Sequence, residues 1–380
     1  MDFEPTETQR AVAEMARSFA ESRVAPAAAE NDRRGRFPEE LVRELGGLGL
    51  LAVNVPAAYG GSEAGAVAYA LALTEIAAAD CSLAVTMAVT NMVAETIARC
   101  GTEAQKKRYL PRLASAEWLA GSFALSEPQS GSDAGALRCR AQRRGSSFVL
   151  NGEKQWISSG DRAGVLVVWA RTGEEKGGRG LSAFLVEGGT KGLGIGRHED
   201  KMGLRASTTV TLTFEDCEVP AEALLGAEGE GFRIALSSLD GGRIGIGAQA
   251  TGAMRAALEA SVRYARERQA FGRPIGEFQA VAFALADMRT AHDAARLLTL
   301  RAAALKDSGR PFTKEAAMAK LFASEAVQAV ASKAVQIHGG YGYLDAFPVE
   351  RIFRDVRVQT IYEGTSEIQR AVIAREILSD

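Results

Sequence analysis

The sequence predicts a mixed, mostly α-helical fold in which a β domain separates two helical domains. Capping signals and alanine-rich runs dominate the first third of the chain, and apolar residues recur every four positions in the last third. The middle third holds short β-prone runs with no helical pattern between them. We therefore expect an N-terminal helical domain over residues 1–118, a central antiparallel β-barrel or β-sandwich over 119–225, and a C-terminal four-helix bundle over 226–380.

The N-terminal domain opens with a helix that Thr6 and Gln9 predict. A threonine followed three residues later by glutamine forms a capping box. We expect this helix to run toward Val24 and to end before Pro26, because proline breaks a helix interior. Proline and glycine mark a loop at 55–61. Further helices are expected over 38–49, 64–79 and 82–100, with one more from Thr102.

The central domain carries the strand signals. In SFVLNGEKQWIS (147–158), Asn151-Gly152 stands between two β-prone runs, which predicts a hairpin. The runs 165–171 and 181–187 are typical of strands. Residues 208–216 alternate apolar side chains with threonine, as a half-buried strand does. Because no helix is predicted between these runs, we expect an antiparallel arrangement.

The C-terminal domain combines long helices with short breaks. Apolar residues step by four from Met254 to Val262, and the segment FGRPIGE (271–277) ends that helix. Two more long helices are expected, one reaching about Lys306 and one over 313–337. Long helices joined by short connections favour an up-and-down bundle.

Composition narrows the classes of function. Acidic residues number 47 against 45 basic ones, with no basic block, so nucleic acid is not an expected partner. The four scattered cysteines indicate a reducing compartment, and the three histidines form no cluster, so we expect no metal site. No apolar run is long enough to span a membrane, and the polar N-terminus is no secretion signal. A cytoplasmic protein is expected, or one of the mitochondrial matrix in a eukaryote.

The usual nucleotide and hydrolase motifs are missing, and two local patterns stay open. We find no GxGxxG after a strand, no GxxxxGK[ST], and no histidine near a GxSxG turn. His338 is typical of a helix end rather than of a catalyst. The small, polar segment 123–136 is either a backbone nest for an anion or a plain connecting loop. Trp156, in a strand, is by itself typical of a core residue.

A carboxylate stands before the last predicted helix, in IYEGTSEIQR (361–370). Ser366 and Gln369 fit a capping box, and an apolar periodic run follows. Glu363 therefore lies just outside a helix N-terminus, near its partial positive charge. A solvated acid with a weak dipole benefit is the alternative to a functional role.

Five separated segments resemble the acyl-CoA dehydrogenase family over essentially the whole chain. They are FALSEPQSGSD, KQWIS, ERQAFGRPIGEFQ, QIHGGYGY and IYEGTSEIQR, in this order. The short-chain, butyryl-type branch is the most similar, on the segments at 198–220, 239–252 and 310–321. The resemblance implies the helical, β, helical order that the local patterns predict independently.

The resemblance also implies a bound FAD without a Rossmann motif. Arg268, Gln279 and the run 336–340 match positions that contact the FAD of a neighbouring subunit, so a homotetramer is expected. The matched cofactor positions are Phe123, Leu125, Ser126, Gly131, Ser132, Trp156, Ile157, Ser158, Arg268, Phe271, Gln279, Gln336, Gly339, Gly340, Thr365 and Glu367.

Three of these positions depart from the family pattern or vary within it. Ser158 stands where threonine is usual, which keeps the hydroxyl and loses a methyl group. His338, within the 336–340 run, stands where most relatives have an apolar residue. Relatives also carry glutamine at the position of Glu367, so the contact made there is open.

By resemblance, Glu363 is the catalytic base. It would remove the α-proton of a short acyl-CoA while a β-hydride passes to flavin N5, giving the trans-2-enoyl-CoA. Electron transfer flavoprotein would collect the electrons. Burial should raise the pKa of Glu363 and strengthen it as a base. The matched substrate-contacting residues are Ser132, Asp240, Arg243 and Gly364.

Several alternatives stay open at this stage. Asp240 and Arg243 could instead form an ordinary pair on a helix surface. A branched short acyl chain could replace the straight one, since one methylene in an apolar pocket is worth only about 1–3 kcal/mol. An acyl-CoA oxidase and a non-catalytic acyl-CoA-binding protein on the same fold are the further alternatives.

Overall fold

The computed structural model describes residues 4–175 and 177–379. It confirms the mostly helical fold with a β-sheet between two helical parts. Residues 1–3 lie outside the described residues, and they belong to the N-terminal segment that we predicted not to be a secretion signal. Residue 380, the last of the predicted C-terminal domain, also lies outside them.

The N-terminal part contains six helices among the described residues. The predicted capping box is confirmed, since the backbone N–H of Gln9 donates to Thr6 Oγ1 at 3.3 Å. The predicted stop before Pro26 is wrong: a π-helical turn (Ala20–Val24) leads into a second helix, and Pro26 lies in its first turn, where no backbone N–H is needed. The helices are α1 (Glu7–Phe19), α2 (Ala25–Arg34), α3 (Glu39–Gly47), α4 (Gly65–Ala79), α5 (Cys81–Cys100) and α6 (Glu103–Ala114).

The central sheet is mixed rather than purely antiparallel, which corrects the prediction. Its strands are β1 (Ala120–Ala124), β2 (Arg140–Arg144), β3 (Ser147–Ser158), β4 (Ala163–Arg171), β5 (Leu181–Glu187), β6 (Leu193–His198), β7 (Thr209–Pro220) and β8 (Leu224–Leu225). The order is β6-β7-β3-β2-β4-β5-β8, and β1 and β2 both run parallel to β4. Parallel pairing of β1 with β4 is allowed because the chain between them is a long crossover that includes the β2–β3 hairpin.

The predicted hairpin at Asn151-Gly152 is also wrong. Both residues lie inside the single strand β3, whose pairing with β7 shifts register between Leu150 and Gly152. Asn151 Oδ1 accepts a hydrogen bond from the backbone N–H of Asp216 across this bulge, at 2.9 Å. A two-residue type I′ turn needs a positive φ at both central residues, and of these two only Gly152 has one. The actual turn contains Gly145, between β2 and β3.

The C-terminal part is built on three long helices, α7 (Gly231–Glu267), α8 (Gln279–Asp307) and α9 (Thr313–His338). A short strand pair, β9 (Gln269–Ala270) and β10 (Arg273–Pro274), forms the break after α7. Two shorter helices follow, α10 (Pro348–Val356) and α11 (Ser366–Ser379).

One apolar core joins the two helical parts. Tyr69 and Leu73 of α4, Met87 of α5, Ile244 of α7 and Ala302 of α8 belong to the same buried cluster. By length and composition α5 is apolar enough to cross a membrane, yet 78% of its most apolar window is buried inside the protein. The apolar surface of α5 is therefore used for packing, and this core positions the site described next.

Candidate active site

Glu363 lies between a 3₁₀ turn (Arg357–Thr360) and α11, in a tight bend of the backbone. Its φ is +54° and that of Gly364 is +88°. A left-handed conformation is uncommon for a residue with a side chain and stores strain. Glu363 is half-buried as a residue, whereas its Oε2 atom is fully buried and has no hydrogen-bond partner among the described residues.

The start of α11 differs from the capping box predicted at Ser366. Thr365 is the capping residue: its Oγ1 accepts from the backbone N–H of Ile368 at 3.3 Å. The side chain of Gln369 instead donates to the carbonyl oxygens of Glu363 at 3.1 Å and Gly364 at 2.9 Å. The prediction is wrong by one residue because Thr365 and Ser366 carry adjacent hydroxyl groups. Only the observed bend of the backbone decides which of them caps α11. The bend is thus held by a buried side chain of the following helix.

Burial and the neighbouring charges have opposite effects on the pKa of Glu363. Burial raises the pKa of Glu363 to about 7, while the positive charges of Arg243 and Lys320 act to lower it. Lys320 is fully buried and donates from Nζ to the carbonyl oxygen of Gly364 at 2.7 Å. Burial lowers the pKa of Lys320 to about 8. A carboxyl group with a pKa near neutrality can both take and return a proton at physiological pH.

Our sequence interpretation did not assign Lys320. A signal was available, because Lys320 falls at the helical spacing of the buried face of α9, one turn after Ala316 and just before Ala323. A lysine on such a face needs a partner, since a buried charge is costly alone.

Helix α7 approaches the Glu363 carboxylate through a glycine. A Cβ atom added at Gly242 would lie 2.6 Å from Glu363 Oε2 and 3.0 Å from Met92 Sδ of α5. Hence α5 and α7 enclose the carboxylate from two sides, and a side chain at position 242 would displace the carboxylate of Glu363. The apolar neighbour explains why the ionised carboxylate is disfavoured there.

Asp240 and Arg243 form a pair, but not on the surface. Arg243 Nη1 donates to Asp240 Oδ1 at 2.6 Å, and Thr313 Oγ1 donates to Asp240 Oδ2 at 2.7 Å. Both side chains are largely buried, which raises the pKa of Asp240 and lowers the pKa of Arg243. The pair therefore holds a cation close to Glu363, and its contact with substrate stays a prediction.

The predicted flavin segments from β1 and β3 lie side by side. Ser122 Oγ donates to the carbonyl oxygen of Ser158 at 2.8 Å. The backbone N–H of Gln155 donates to the carbonyl oxygen of Ser126 at 2.9 Å. Leu125 is buried, and the ring of Phe123 lies 4.2 Å from that of Trp169. Two motifs separated in sequence thus lie next to each other on the sheet.

A buried ion pair that we did not predict holds the segment after β1 against β3. Lys154 is fully buried, and its Nζ donates to Glu127 Oε1 at 2.8 Å and to the carbonyl oxygen of Leu125 at 3.0 Å. The Glu127 carboxylate also accepts from the backbone N–H groups of Arg138 and Cys139, at 2.6 and 3.0 Å. The loop after β1 is therefore clamped at both ends, while Gly131 and Ser132 at its tip are exposed.

Trp156 is not a core residue, which corrects the local interpretation. Its side chain is 59% exposed and its φ is +63°. The pairing of β3 with β7 shifts register between Lys154 and Ile157, and this bulge turns the indole outward and Ile157 inward. Because the Ile157 side chain is buried in the sheet core, only its backbone can face a ligand. An exposed indole offers a flat apolar surface on which a planar ring system such as a flavin can pack.

A second group of predicted cofactor residues lies on the helical bundle. Arg268, Gly339 and Gly340 line a groove of about 400 Å³, and the Arg268 guanidinium lies 5.5 Å from the Tyr341 ring centre. Phe271 is 96% exposed on the turn between β9 and β10. Three further members, Gln279, Gln336 and Glu367, are exposed. No hydrogen bond, ion pair or ring contact among the described residues joins this groove to Trp156.

His338 ends α9, as the sequence predicts. It is buried, its Nδ1 lies 2.8 Å from the carbonyl oxygen of Ala334, and its ring stacks on Tyr264 at 4.3 Å. Burial lowers its pKa. Over residues 4–175 and 177–379, no group of three or more His, Cys, Asp or Glu side chains is placed to hold a metal ion.

Three family models match successive parts of the chain. The N-terminal domain of acyl-CoA dehydrogenase matches residues 6–117, the middle domain 122–217 and the C-terminal domain 229–378. The chain belongs to the acyl-CoA dehydrogenase family, whose members are flavin oxidoreductases.

Two curated relatives match almost their full length. The acryloyl-CoA reductase (NADH) of Anaerotignum propionicum is 47% identical, over 100% of this chain and 96% of the relative. The mitochondrial short-chain specific acyl-CoA dehydrogenase of Mus musculus is 48% identical, over 98% of this chain and 90% of the relative.

Solved structures agree with the fold over the whole chain. Butyryl-CoA dehydrogenase from Megasphaera elsdenii is similar with a TM-score of 0.97 at 42% identity, covering 100% of both chains. A chain from work on the electron transferring flavoprotein of Acidaminococcus fermentans reaches 0.98 at 44% identity, again over 100% of both. A glutaryl-CoA dehydrogenase from Mycobacterium smegmatis, in complex with FADH2, reaches 0.93 at 32% identity, over 99% of this chain and 96% of that one.

Proposed function

We propose that this protein catalyses the FAD-dependent α,β-dehydrogenation of a short-chain acyl-CoA to the trans-2-enoyl-CoA, with Glu363 as the base. The observation that carries the proposal is the buried, unpartnered carboxylate oxygen of Glu363 beside Gly242. The high identity to a short-chain specific relative supports the substrate class. Electron transfer flavoprotein is the proposed electron acceptor, and the similarity to the Acidaminococcus fermentans chain supports it.

Glu363 is suited to remove a weakly acidic proton. A carboxylate in water is a poor base, and burial raises the pKa of Glu363 to about 7. Arg243 and Lys320 keep that pKa from rising further, so that the ionised form is populated at neutral pH. Backbone N–H groups at the start of α11 provide donors for the thioester oxygen, where charge develops as the proton leaves.

The exposed part of the sheet around Trp156 and the bundle groove lined by Arg268 are the proposed FAD contacts. FAD, when bound, supplies the two-electron acceptor for the hydrogen that leaves the β carbon. Trp156 would pack on the ring system, and Ser126 and Ser158 would donate to it. Arg268, from a neighbouring subunit, would pair with the pyrophosphate, since a guanidinium fork matches two anionic oxygens.

The reverse reaction is the second candidate, because one relative at 47% identity is an acryloyl-CoA reductase. In that direction Glu363 would return a proton to the α carbon. A pKa of about 7 populates both forms of the carboxyl group near neutral pH, so the same residue serves either direction.

The test is an anaerobic titration of the FAD-loaded protein with butyryl-CoA, following the visible absorbance of the flavin. We expect the wild type to bleach rapidly, whereas Glu363→Gln should keep its FAD and bleach about 10²–10⁴-fold more slowly, since it lacks the base. Glu325→Gln, which removes an exposed carboxylate paired with Arg370, is the matched control. Wild-type bleaching by Glu363→Gln would contradict the role of Glu363, and a loaded wild type that no acyl-CoA bleaches would contradict the function.

A further inference from the structure

A buried carboxylate joins the segment that carries Glu363 to the central sheet. Asp355 is the last but one residue of α10, and one 3₁₀ turn separates this helix from the bend at Glu363. Asp355 is fully buried, and its Oδ1 accepts from the backbone N–H of Leu204 at 2.6 Å. Leu204 belongs to the β6–β7 connection (residues 199–208), so this hydrogen bond links two parts of the fold that are distant in the chain.

Three successive residues of the β6–β7 connection contact α10. The carbonyl oxygen of Met202 accepts from Arg354 Nη1 at 3.3 Å. A Cβ atom added at Gly203 would collide with the carbonyl oxygen of Arg354, because the two backbones touch there. The side chain of Leu204 is buried in the apolar cluster of the helical bundle, which also contains Val356 of α10. Both the backbone and the side chains therefore fix the connection on α10.

The other end of the β6–β7 connection holds the part of the sheet that carries the proposed flavin contacts. Ser158, at the end of β3, pairs with Thr209, the first residue of β7. The backbone N–H of Ser159 donates to the carbonyl oxygen of Thr208 at 2.9 Å. A shift of the connection would therefore move the end of β3.

Strained backbone conformations occur along this path from the base to the sheet. The φ angle is +54° at Glu363 and +50° at Leu204. It is +63° at Trp156 and +55° at Ser159, on the side of the sheet. Over residues 4–175 and 177–379, eight residues other than glycine have a positive φ, so half of them lie on this path. Such conformations persist only where the surrounding structure holds them in place.

We propose that Asp355 is a positioning residue, which holds Glu363 at a fixed place relative to the flavin surface of the sheet. The reaction requires this, because the base takes a proton from one carbon while the flavin takes hydrogen from the next. The assignment rests on the proposed function and deepens it. Asp355 lies outside the five family-like segments.

The experiment compares two replacements of Asp355 with a matched control. Asp355→Ala removes the acceptor, whereas Asp355→Asn keeps an oxygen. Burial raises the pKa of Asp355 to about 7, against the positive charge of Arg351, so a neutral acceptor suits this place. The control is Asp307→Ala, since Asp307 also accepts from distant backbone N–H groups, those of Ala66 at 2.6 Å and Val67 at 3.0 Å. It joins α8 to α4 and does not involve the sheet.

The first measurement is the rate at which saturating butyryl-CoA reduces the flavin of each FAD-loaded protein. We expect this rate to fall about 10- to 100-fold in Asp355→Ala, because a misplacement of about 1 Å can reduce turnover about 10²-fold. The Kd for butyryl-CoA should change little. Asp355→Asn and Asp307→Ala should stay close to the wild-type rate. Both alanine variants should lose thermal stability, so stability alone does not explain a difference between their rates.

The second measurement does not depend on acyl-CoA chemistry. Hydrogen–deuterium exchange is followed in the FAD-loaded proteins without substrate. In Asp355→Ala the amides of 199–209 and of 357–365 should both exchange faster, because each segment loses the contact that holds it. Asp307→Ala should leave both segments at the wild-type rate of exchange.

The outcomes separate the positioning role from the function. A loaded Asp355→Ala that reduces its flavin at the wild-type rate overturns the role, as does an asparagine variant that is equally slow. If Asp355→Ala fails to load FAD, Gly203→Ala replaces it, since the added methyl group pushes the connection away from α10. A wild-type rate there also overturns the role. If no acyl-CoA reduces the wild-type flavin, the function is wrong, and unchanged exchange at 199–209 would then overturn the link between the segments as well.

Discussion

Glu363 has a strained backbone conformation, and burial disfavours the ionised form of its carboxyl group. A left-handed residue other than glycine costs about 1–3 kcal/mol, and a buried carboxylate without a hydrogen bond adds a further cost. Gln369 and Lys320 offset these costs: Gln369 holds the carbonyl oxygens of Glu363 and Gly364, and Lys320 holds that of Gly364. The strain aims the carboxylate at Gly242 instead of at water.

We predict that Lys320 positions Glu363 and tunes its titration. The ionised form of Glu363 is the base, so kcat/KM should rise with pH through the pKa of about 7. Lys320→Met removes a facing cation, and Glu363 should then bind its proton more tightly. The acid limb of the pH profile should therefore move to higher pH, and Arg243 should be the main facing cation left.

The control for this prediction is Lys320→Arg, which keeps the positive charge and should hold the acid limb near its wild-type position. A pH profile of kcat/KM checks both variants. If Lys320→Met lowers thermal stability but leaves the acid limb unmoved, the residue is structural only.

At the scale of elements, glycines on α7 determine how closely three helices approach. A Cβ atom would lie 2.7 Å from the Tyr69 hydroxyl if added at Gly245, and 2.3 Å from the Thr74 carbonyl oxygen if added at Gly252. Each glycine within a helix costs up to about 1 kcal/mol relative to alanine. Close contact of α7 with α4 and α5 compensates this cost and brings Gly242 against Glu363.

Gly242→Ala should therefore impair catalysis more than folding. The added methyl group would displace the Glu363 carboxylate, and a misplacement of about 1 Å can reduce turnover about 10²-fold. We expect FAD content to stay normal while kcat for butyryl-CoA falls. Gly47→Ala, at the end of α3 with open space around the new Cβ, is the matched control and should keep wild-type kcat. Normal kcat in Gly242→Ala would contradict the observed contact.

At the scale of the whole molecule, the catalytic base and the two flavin-binding surfaces lie on different parts of the fold. Glu363 lies where α5, α7 and α11 meet, Trp156 is on the sheet, and Arg268 is on the groove of the bundle. A homotetramer, as the family resemblance implies, would bring Arg268 of one subunit to the FAD of another. Cofactor binding and assembly would then be coupled.

Replacing Arg268 should test this coupling. In Arg268→Ala we expect a lower molar ratio of FAD to purified protein, because a charge-assisted contact with the pyrophosphate is lost. Arg266→Ala, an exposed arginine two residues earlier, is the control and should keep the wild-type ratio. The ratio is measured by flavin absorbance, and the particle mass by light scattering. Full FAD content in Arg268→Ala would contradict a contact between Arg268 and the cofactor.

Local patterns in the sequence determined the class of fold and the position of the base. Helical spacing and capping boxes depend on residues within a few positions of each other, and so Thr6 with Gln9 and the long helices of the bundle were predictable. The position of Glu363 just before the last helix was predictable for the same reason, because the residues that signal the start of that helix lie within a few positions of it. Family resemblance then supplied a role for it that spacing alone left open.

Tertiary structure decided the features that depend on distant partners. Asn151-Gly152 forms a bulge rather than a turn because β3 pairs with β7, and the next register shift turns Trp156 outward. Lys320 and Glu127 acquire their roles only where the fold brings them to Gly364 and to Lys154. The hydrogen bond between Asp355 and the backbone of Leu204 likewise joins segments 151 residues apart in the chain. Helical spacing marks Lys320 as buried, but no local pattern names its partner, because the two residues of such a contact come from distant segments that only the folded chain brings together.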